Sequence, residues 1–170
     1  MNILAYVLSG LSLISMIIAS LTKGERMGKI LFFVFCANFL TATSYLLNGQ
    51  GINGAAACYL GALQSLINYF FDSKNKPIPK WLICIYAVAI IVLNLWVSGG
   101  VTWLGMLVIV ASLVFVLCIG QENGAKYRIW TVVNMILWCT YDVLSGAYNG
   151  LIVHFPLLIS SIIGMIIHDR

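Results

Sequence analysis

Three side chains on one stretch of the chain have the types and the spacing of a ligand-binding wall. Asn134, Trp138 and Tyr141 follow one another at i, i+4 and i+7, so in a helix they lie on one face. That face carries an amide, an indole and a phenol, which suits a flat polar molecule such as a sugar or a nucleoside ring. The structural alternatives are a tryptophan packed in the core and an amide that joins two helices.

The same pattern is present a second time, 96 residues earlier in the chain. Identities at this offset include the pairs Asn38 and Asn134, Tyr45 and Tyr141, Asn53 and Asn149, Gly54 and Gly150, Gly24 and Gly120, and Gly28 and Gly124. The sequence therefore predicts two copies of one unit, each with an Asn-Gly turn. Asn38 and Tyr45 join the candidate substrate-binding residues, although the first copy has Ala42 where the second has Trp138.

Two further amides stand one helical turn apart in another apolar run. Gln64 and Asn68 are spaced i, i+4, and amides inside a membrane span are unfavourable unless they meet partners or water. Both are candidate substrate-binding residues. The alternative is that they hold helices together.

Asp142 and His154 are the ionisable pair that stands apart from the other charges. Inside a membrane, a carboxylate and an imidazole are the groups from which a proton-linked gate is built, because histidine changes its charge near neutral pH. We regard them as a candidate gate. The alternative is that Asp142 reaches water at the membrane surface.

No catalytic pattern accompanies these residues. The sequence has no phosphate-binding glycine loop, no serine, histidine and acid spaced as in a hydrolase, and no cluster of metal ligands. We therefore predict no enzyme activity, no cofactor and no bound metal.

The composition indicates which elements hold these side chains. Of 170 residues, 62% are hydrophobic and 8% are charged, whereas about a quarter of the residues of a soluble domain are charged. Apolar runs of roughly 16 to 20 residues have the length of membrane-spanning helices. The sequence predicts an all-α integral membrane protein, with the lipid bilayer as a partner and no nucleic acid.

Seven transmembrane helices fit the apolar runs. The predicted spans are 3–21, 30–47, 54–71, 81–97, 103–119, 129–144 and 149–167. With this count all nine basic residues fall on one side, in the loops after the first, third and fifth helices and at the C-terminus: Lys23, Arg26, Lys29, Lys74, Lys76, Lys80, Lys126, Arg128 and Arg170. By the positive-inside rule the C-terminus is cytoplasmic and the N-terminus is outside.

The helix at 81–97 has no counterpart in the repeat. A unit of three helices crosses the membrane an odd number of times, so one additional crossing gives both units the same orientation. The sequence predicts two parallel three-helix bundles joined by an inversion linker helix, a 3+1+3 arrangement. The units are residues 1–73, the linker region 74–97, and residues 98–170.

This arrangement resembles the SWEET and SemiSWEET sugar transporters and the PnuC-type nicotinamide riboside transporters. With its short length and Asn-Gly pairs, the chain looks most like the bacterial YgjV-type inner-membrane family of the same broader group. The resemblance implies a solute carrier of the inner membrane with a binding site near mid-membrane. It also implies an asparagine and a large aromatic residue facing the central cavity, for which Asn68 and Trp138 are the matching positions.

The chain departs from the sugar carriers in its prolines. Those carriers place prolines in the first two helices of each repeat, whereas the prolines here are Pro77, Pro79 and Pro156. The family's proline hinge therefore does not carry over to this chain.

Together these observations predict a transporter or facilitator of a small neutral polar solute that works by alternating access. The solute would be sugar-like, nucleoside-like or vitamin-like, and a homo-oligomer is compatible with the sequence. The alternative is a membrane receptor or assembly subunit that transports nothing and uses its buried amides to join helices.

Overall fold

The computed structural model describes residues 3–22, 27–49 and 51–168. These residues form seven α-helices and no strand: α1 Ile3–Leu21, α2 Met27–Asn48, α3 Ile52–Ser73, α4 Lys80–Val97, α5 Trp103–Ile119, α6 Gly124–Ser145 and α7 Tyr148–His168. The prediction of an all-helical chain with seven helices is confirmed. Lys23, Gly24, Arg26 and Arg170, named above for the repeat and the charge pattern, lie outside the described residues.

The helices have the surface expected of a bundle in lipid. By length and composition α1, α2, α4 and α7 are apolar enough to cross a membrane, and α5 is a shorter apolar helix. Large apolar side chains such as Ile14, Phe39 and Val88 face outwards, whereas Ser9, Ser12 and Ser20 of α1 are buried. Lipid favours this distribution, in which polar side chains are inside the bundle and apolar side chains are on its surface.

Side-chain contacts define the direction of each helix. At one end of the bundle, Ser44 near the end of α2 donates to the carbonyl oxygen of Ala5 at the start of α1. At the other end, Asn68 in the last part of α3 donates to the carbonyl oxygen of Ile119, the last residue of α5. The first contact makes α1 and α2 antiparallel, and the second makes α3 and α5 parallel. Tyr45 near the end of α2 meets Asp142 near the end of α6, so these two helices are also parallel. We call the first end the Asp142 end and the second the Arg128 end, after buried residues that lie there.

The six helices other than α4 form a ring. Helix α2 packs against α1 and α3, and α6 packs against α5 and α7. The ring is completed by contacts of α1 with α7 and of α3 with α5. The fourth helix packs outside this ring against α3 and α5, through an apolar cluster that includes Tyr86, Ile90 and Ile109. This is the peripheral place expected of a linker helix, although the predicted boundaries at residues 73 and 97 stay a prediction.

The predicted Asn-Gly turns are wrong. Asn53-Gly54 and Asn149-Gly150 lie in the first turns of α3 and α7, and the connections instead use glycines with positive φ, at Gly49, Gly51 and Gly146. A left-handed glycine is the usual way to end or begin a helix. Gly54 and Gly150 are needed for space rather than for turning.

Arg128 also differs from its predicted place in a loop. It is the fifth residue of α6 and only 1% exposed, and its guanidinium donates to the carbonyl oxygens of Ser20 and Thr22. Those carbonyls end α1, where the helix dipole favours a cation. Gly164 of α7 leaves the space for this contact, since a Cβ there would strike Arg128 and the backbone of Ser20.

The distribution of basic residues gives the first testable prediction. The described lysines lie at the Arg128 end, in or beside the α3–α4 connection and the first turns of α2 and α6, so the positive-inside rule predicts that this end is cytoplasmic. In a chain without native cysteines, Lys76→Cys and Lys126→Cys should react with an impermeant maleimide only in inverted vesicles. Val101→Cys, in the exposed α4–α5 connection, should react only in right-side-out vesicles. Labelling of all three from one side would contradict the seven-helix topology.

Candidate functional site

A buried cluster of three ionisable or polar side chains joins the two repeats at the Asp142 end. The hydroxyl of Tyr45 on α2 donates to Oδ1 of Asp142 on α6 at 2.5 Å. The other carboxylate oxygen, Oδ2, lies 2.6 Å from Nδ1 of His154 on α7. Asp142 is fully buried and His154 nearly so. The alternative that Asp142 reaches water at the surface is therefore wrong for this conformation.

Gly150 makes this cluster sterically possible. A Cβ at Gly150 would overlap both the Tyr45 hydroxyl and Oδ1 of Asp142. The copied residues make the equivalent contact: Gly54 lies against Tyr141, and the backbone N–H of Gly54 donates to the Tyr141 hydroxyl at 3.1 Å. Each tyrosine thus packs on the glycine of the other repeat.

This reciprocal packing explains why the sequence repeats where it does. Tyr45 and Tyr141 are copies at the offset of 96 residues, as are Gly54 and Gly150. Where two equivalent units pack on each other, a contact between two residues is repeated between their copies. The contact of Tyr45 with Gly150 is repeated in this way by Tyr141 and Gly54. These identities therefore belong to the contact between the repeats.

A hydrogen-bonded network extends the same interface towards α1. Asn149 donates to Ser44 at 2.8 Å and accepts from Asn48, while Ser44 also contacts the Ser9 hydroxyl at 2.7 Å. Sequence reasoning misses this network because it assigns Asn149 to a turn. The sequence does contain a signal for the network, because the hydroxyl residues are spaced three apart on both helices, Ser9 and Ser12 on α1 and Thr41 and Ser44 on α2. Ser12 and Thr41 form a second hydrogen bond between these helices, at 2.6 Å.

A small cavity of about 20 Å³ lies at the centre of the ring, with walls from all six ring helices. Its wall includes three pairs of positions that lie 96 residues apart in the sequence: Asn38 and Asn134, Met16 and Ser112, and Cys58 and His154. The cavity has room for about one water molecule.

The cavity wall carries polar atoms without partners. Asn38 Nδ2, Asn134 Oδ1 and Ser112 Oγ are buried and make no hydrogen bond. The assignment for Asn134 is fixed chemically, because its other atom bonds the carbonyl oxygen of Ala111 and must therefore be the amide nitrogen. The wall thus offers a free donor, a free acceptor and a hydroxyl that serves as either.

The aromatic residue at the cavity is Trp138. Its ring stacks on His154 with centroids 5.3 Å apart and planes 30° apart, and it meets Tyr141 edge to face. Trp138 and His154 therefore lie side by side on the cavity wall, on the side nearer the Asp142 end. Tyr45 and Tyr141 lie beyond them, in the contact between the repeats rather than on the cavity wall.

The two amides of α3 have different places. Asn68 is fully used, since it donates to the carbonyl oxygen of Ile119 and accepts from the Tyr86 hydroxyl of α4, so it joins α3 to α5 and α4. Gln64 is 1% exposed and neither of its side-chain polar atoms has a hydrogen-bond partner. It does not line the central cavity and lies nearer the Arg128 end.

Among the described residues, no group of three histidine, cysteine or acidic side chains has the arrangement of a metal site.

The family relationship covers nearly the whole chain. A comparison with models of protein families matches residues 3–170 to the family described as Imp-YgjV, bacterial inner membrane protein. Searches of curated proteins and of solved structures give no match.

The packing of Gly150 gives a second prediction. Gly150→Ala should lower the free energy of unfolding by about 1 to 3 kcal/mol, the usual effect of overfilling a packed site. Gly10→Ala is the matched control, because a Cβ at Gly10 meets no atom within 4 Å and the backbone at neither glycine has positive φ. Thermal unfolding of the purified proteins measures both. Equal melting temperatures for the two variants would contradict the role of Gly150.

Proposed function

The chain belongs to the Imp-YgjV family of bacterial inner membrane proteins, and we propose that it carries a small neutral polar solute across that membrane by alternating access. The binding site is the central cavity between the two repeats. The substrate class is sugar-like, nucleoside-like or vitamin-like. The Arg128 end faces the cytoplasm and the Asp142 end faces the periplasmic side.

The observation that carries this proposal is the set of unpaired polar atoms on the cavity wall. Leaving a buried donor or acceptor without a partner costs about 1 to 3 kcal/mol. Asn38, Asn134 and Ser112 bring three such atoms to one point from three helices. A site that must bind and release a polar solute has a reason to keep them free, whereas helix packing alone favours pairing them.

The size of the cavity matches the closed state of such a cycle. Pockets for small molecules are commonly about 300 to 1,000 Å³, and this cavity is about 20 Å³. Tyr45, Asp142 and His154 close one end, and Arg128 with the end of α1 closes the other. Separation of the repeats at either end enlarges the cavity and exposes it to one side.

The chemistry of the wall supports a neutral solute. Among the described residues that line the cavity, His154 is the one ionisable group apart from the Cys58 thiol, and Asp142 already occupies the imidazole Nδ1. The amides and Ser112 match a solute that presents both a donor and an acceptor, as a hydroxyl or an amide does. Trp138 and Phe115 add apolar faces on which a ring can rest.

A second candidate function is a receptor or assembly subunit that does not transport. It is favoured by Asn68, whose amide pairs with Ile119 and Tyr86 and acts only to join helices. In that case the cavity stays closed and small solutes have no effect.

Asn38 gives the clearest test of the carrier. Its Nδ2 has no hydrogen-bond partner, so Asn38→Ala removes a solute contact without breaking a bond from that atom. In vesicles reconstituted with the protein, uptake should be measured for a panel of radiolabelled sugars, nucleosides and neutral vitamins. For the solute that is transported, Asn38→Ala should weaken binding by about 1 to 3 kcal/mol, roughly 5- to 150-fold, with a nearly unchanged melting temperature.

Thr140→Ala is the matched control for this test. Thr140 is exposed on the outside of α6 and bonds only its own helix, at the carbonyl oxygen of Ile136, so uptake should stay at the wild-type level. Equal uptake by Asn38→Ala and wild type would remove the cavity as the binding site. Absence of uptake for the entire panel would favour the receptor or assembly subunit.

A further inference from the structure

The buried cluster at the Asp142 end has a charge that the transport of a neutral solute does not explain. We infer that Asp142 and His154 form a proton-binding site, and that protonation of this pair closes the Asp142 end of the carrier. The inference rests on the proposed function and adds the ion to which it is coupled.

The first step concerns which atom takes the proton. An ionised Asp142 only accepts hydrogen bonds, so Nδ1 of His154, 2.6 Å from Oδ2, carries a hydrogen and donates it. The second ring nitrogen, Nε2, is then the one that gains or loses a proton. His154 also lines the central cavity, so its ring connects the carboxylate to the space in which the solute would lie.

The second step concerns net charge. With His154 protonated, the pair is neutral overall and Asp142 also accepts the Tyr45 hydroxyl. With His154 neutral, one negative charge remains in a site where Asp142 has no exposed surface. A buried charge without a counter-charge is unfavourable.

The neighbours of the pair offer no other counter-charge. The ionisable groups that face Asp142 are Tyr45 on α2, Cys58 on α3, and Cys139 and Tyr141 on α6. Each of these is neutral when protonated and none becomes a cation. Among the described residues His154 is the one cationic partner of Asp142.

The third step connects the proton to the conformation. Tyr45 belongs to the first repeat, whereas Asp142 and His154 belong to the second, so the Tyr45 bond to Asp142 is made only when the repeats meet at this end. Loss of the proton leaves a charge that water stabilises better than the closed interface does. Deprotonation therefore favours opening, and closing the Asp142 end takes up one proton.

A cysteine already present in the cavity allows a test that needs no known solute. Cys58 lines the cavity and is buried. In a chain with Cys58 as its one thiol, labelling by an impermeant maleimide in right-side-out vesicles reports opening of the Asp142 end. The labelling rate of Cys58 is divided by the labelling rate of Val101→Cys, measured in a chain that has no other cysteine. Val101 is exposed at the same end, so the ratio removes the effect of pH on thiol reactivity.

The expected result is a normalised rate that rises with pH, because loss of the proton favours the open end. The rise is up to about tenfold per pH unit, the limit for one linked proton. Asp142→Asn keeps an acceptor for Tyr45 but removes the negative charge, so protonation of His154 no longer favours closure and its normalised rate should not rise with pH. Tyr45→Phe, which fills the same space, should label faster at every pH, because the pair no longer bonds the other repeat, and should keep the rise with pH, because closure still buries the carboxylate.

A flat profile for the chain with native Asp142 and Tyr45 would overturn the proton site, as would an unchanged slope in Asp142→Asn. These outcomes are separate from the uptake assay. Uptake without a slope removes the proton site and leaves the carrier, whereas a slope without uptake removes the carrier and leaves a proton-dependent closure.

Discussion

The hydrogen bond from Tyr45 to Asp142 is the interaction on which the rest of the closed structure depends. It crosses from one repeat to the other, and it requires a glycine at position 150, since any side chain there would occupy its place. Asp142 is completely buried, and its second carboxylate oxygen lies 2.6 Å from Nδ1 of His154, the group that would provide a counter-charge when protonated. The stacking of Trp138 on His154 then fixes one side of the central cavity. A contact between repeats thus determines the shape and the charge of the proposed solute site.

Polar groups in the six-helix ring are satisfied unevenly along the membrane normal. Around Asp142 the buried side chains hydrogen-bond to one another, as Asn149, Ser44 and Ser9 do. At the centre, and from there towards the Arg128 end, Asn38, Asn134, Gln64 and Ser161 keep atoms without partners. Unpaired atoms in a lipid-enclosed interior are unfavourable until water or a solute reaches them. The unpaired atoms therefore gain hydrogen bonds when water or a solute reaches them, whereas both ends of the ring are held by hydrogen bonds, from Tyr45 to Asp142 at one end and from Arg128 to α1 at the other.

Periodicity and repetition can be read from the sequence, whereas pairing across the bundle cannot. Apolar runs locate the helices because lipid requires their length, and the shared offset of 96 residues is enough to relate Asn38 to Asn134. Arg128 is assigned to a loop from the sequence because it is charged and lies next to a polar segment. Its carbonyl partners at the end of α1 lie more than 100 residues away in the chain, and they become neighbours only when α1, α6 and α7 pack together. Local propensity likewise favours a turn at Asn149-Gly150. Contact with Tyr45 and Ser44 instead places it in α7, and local sequence contains neither contact.

The two repeats share a backbone plan but divide the chemistry between them. At copied positions around the cavity the second repeat carries Ser112, Trp138 and His154 where the first carries Met16, Ala42 and Cys58. Asn38 and Asn134 are the pair of copied positions on the cavity wall that carries an amide in both repeats. These two amides differ, because Asn134 donates its side-chain N–H to the carbonyl oxygen of Ala111. A solute in the cavity would therefore meet a donor from the first repeat and an acceptor, a ring and an ionisable group from the second. In the proposed carrier, rocking of the two units would present this asymmetric wall to each side in turn and would fix the orientation of the bound solute.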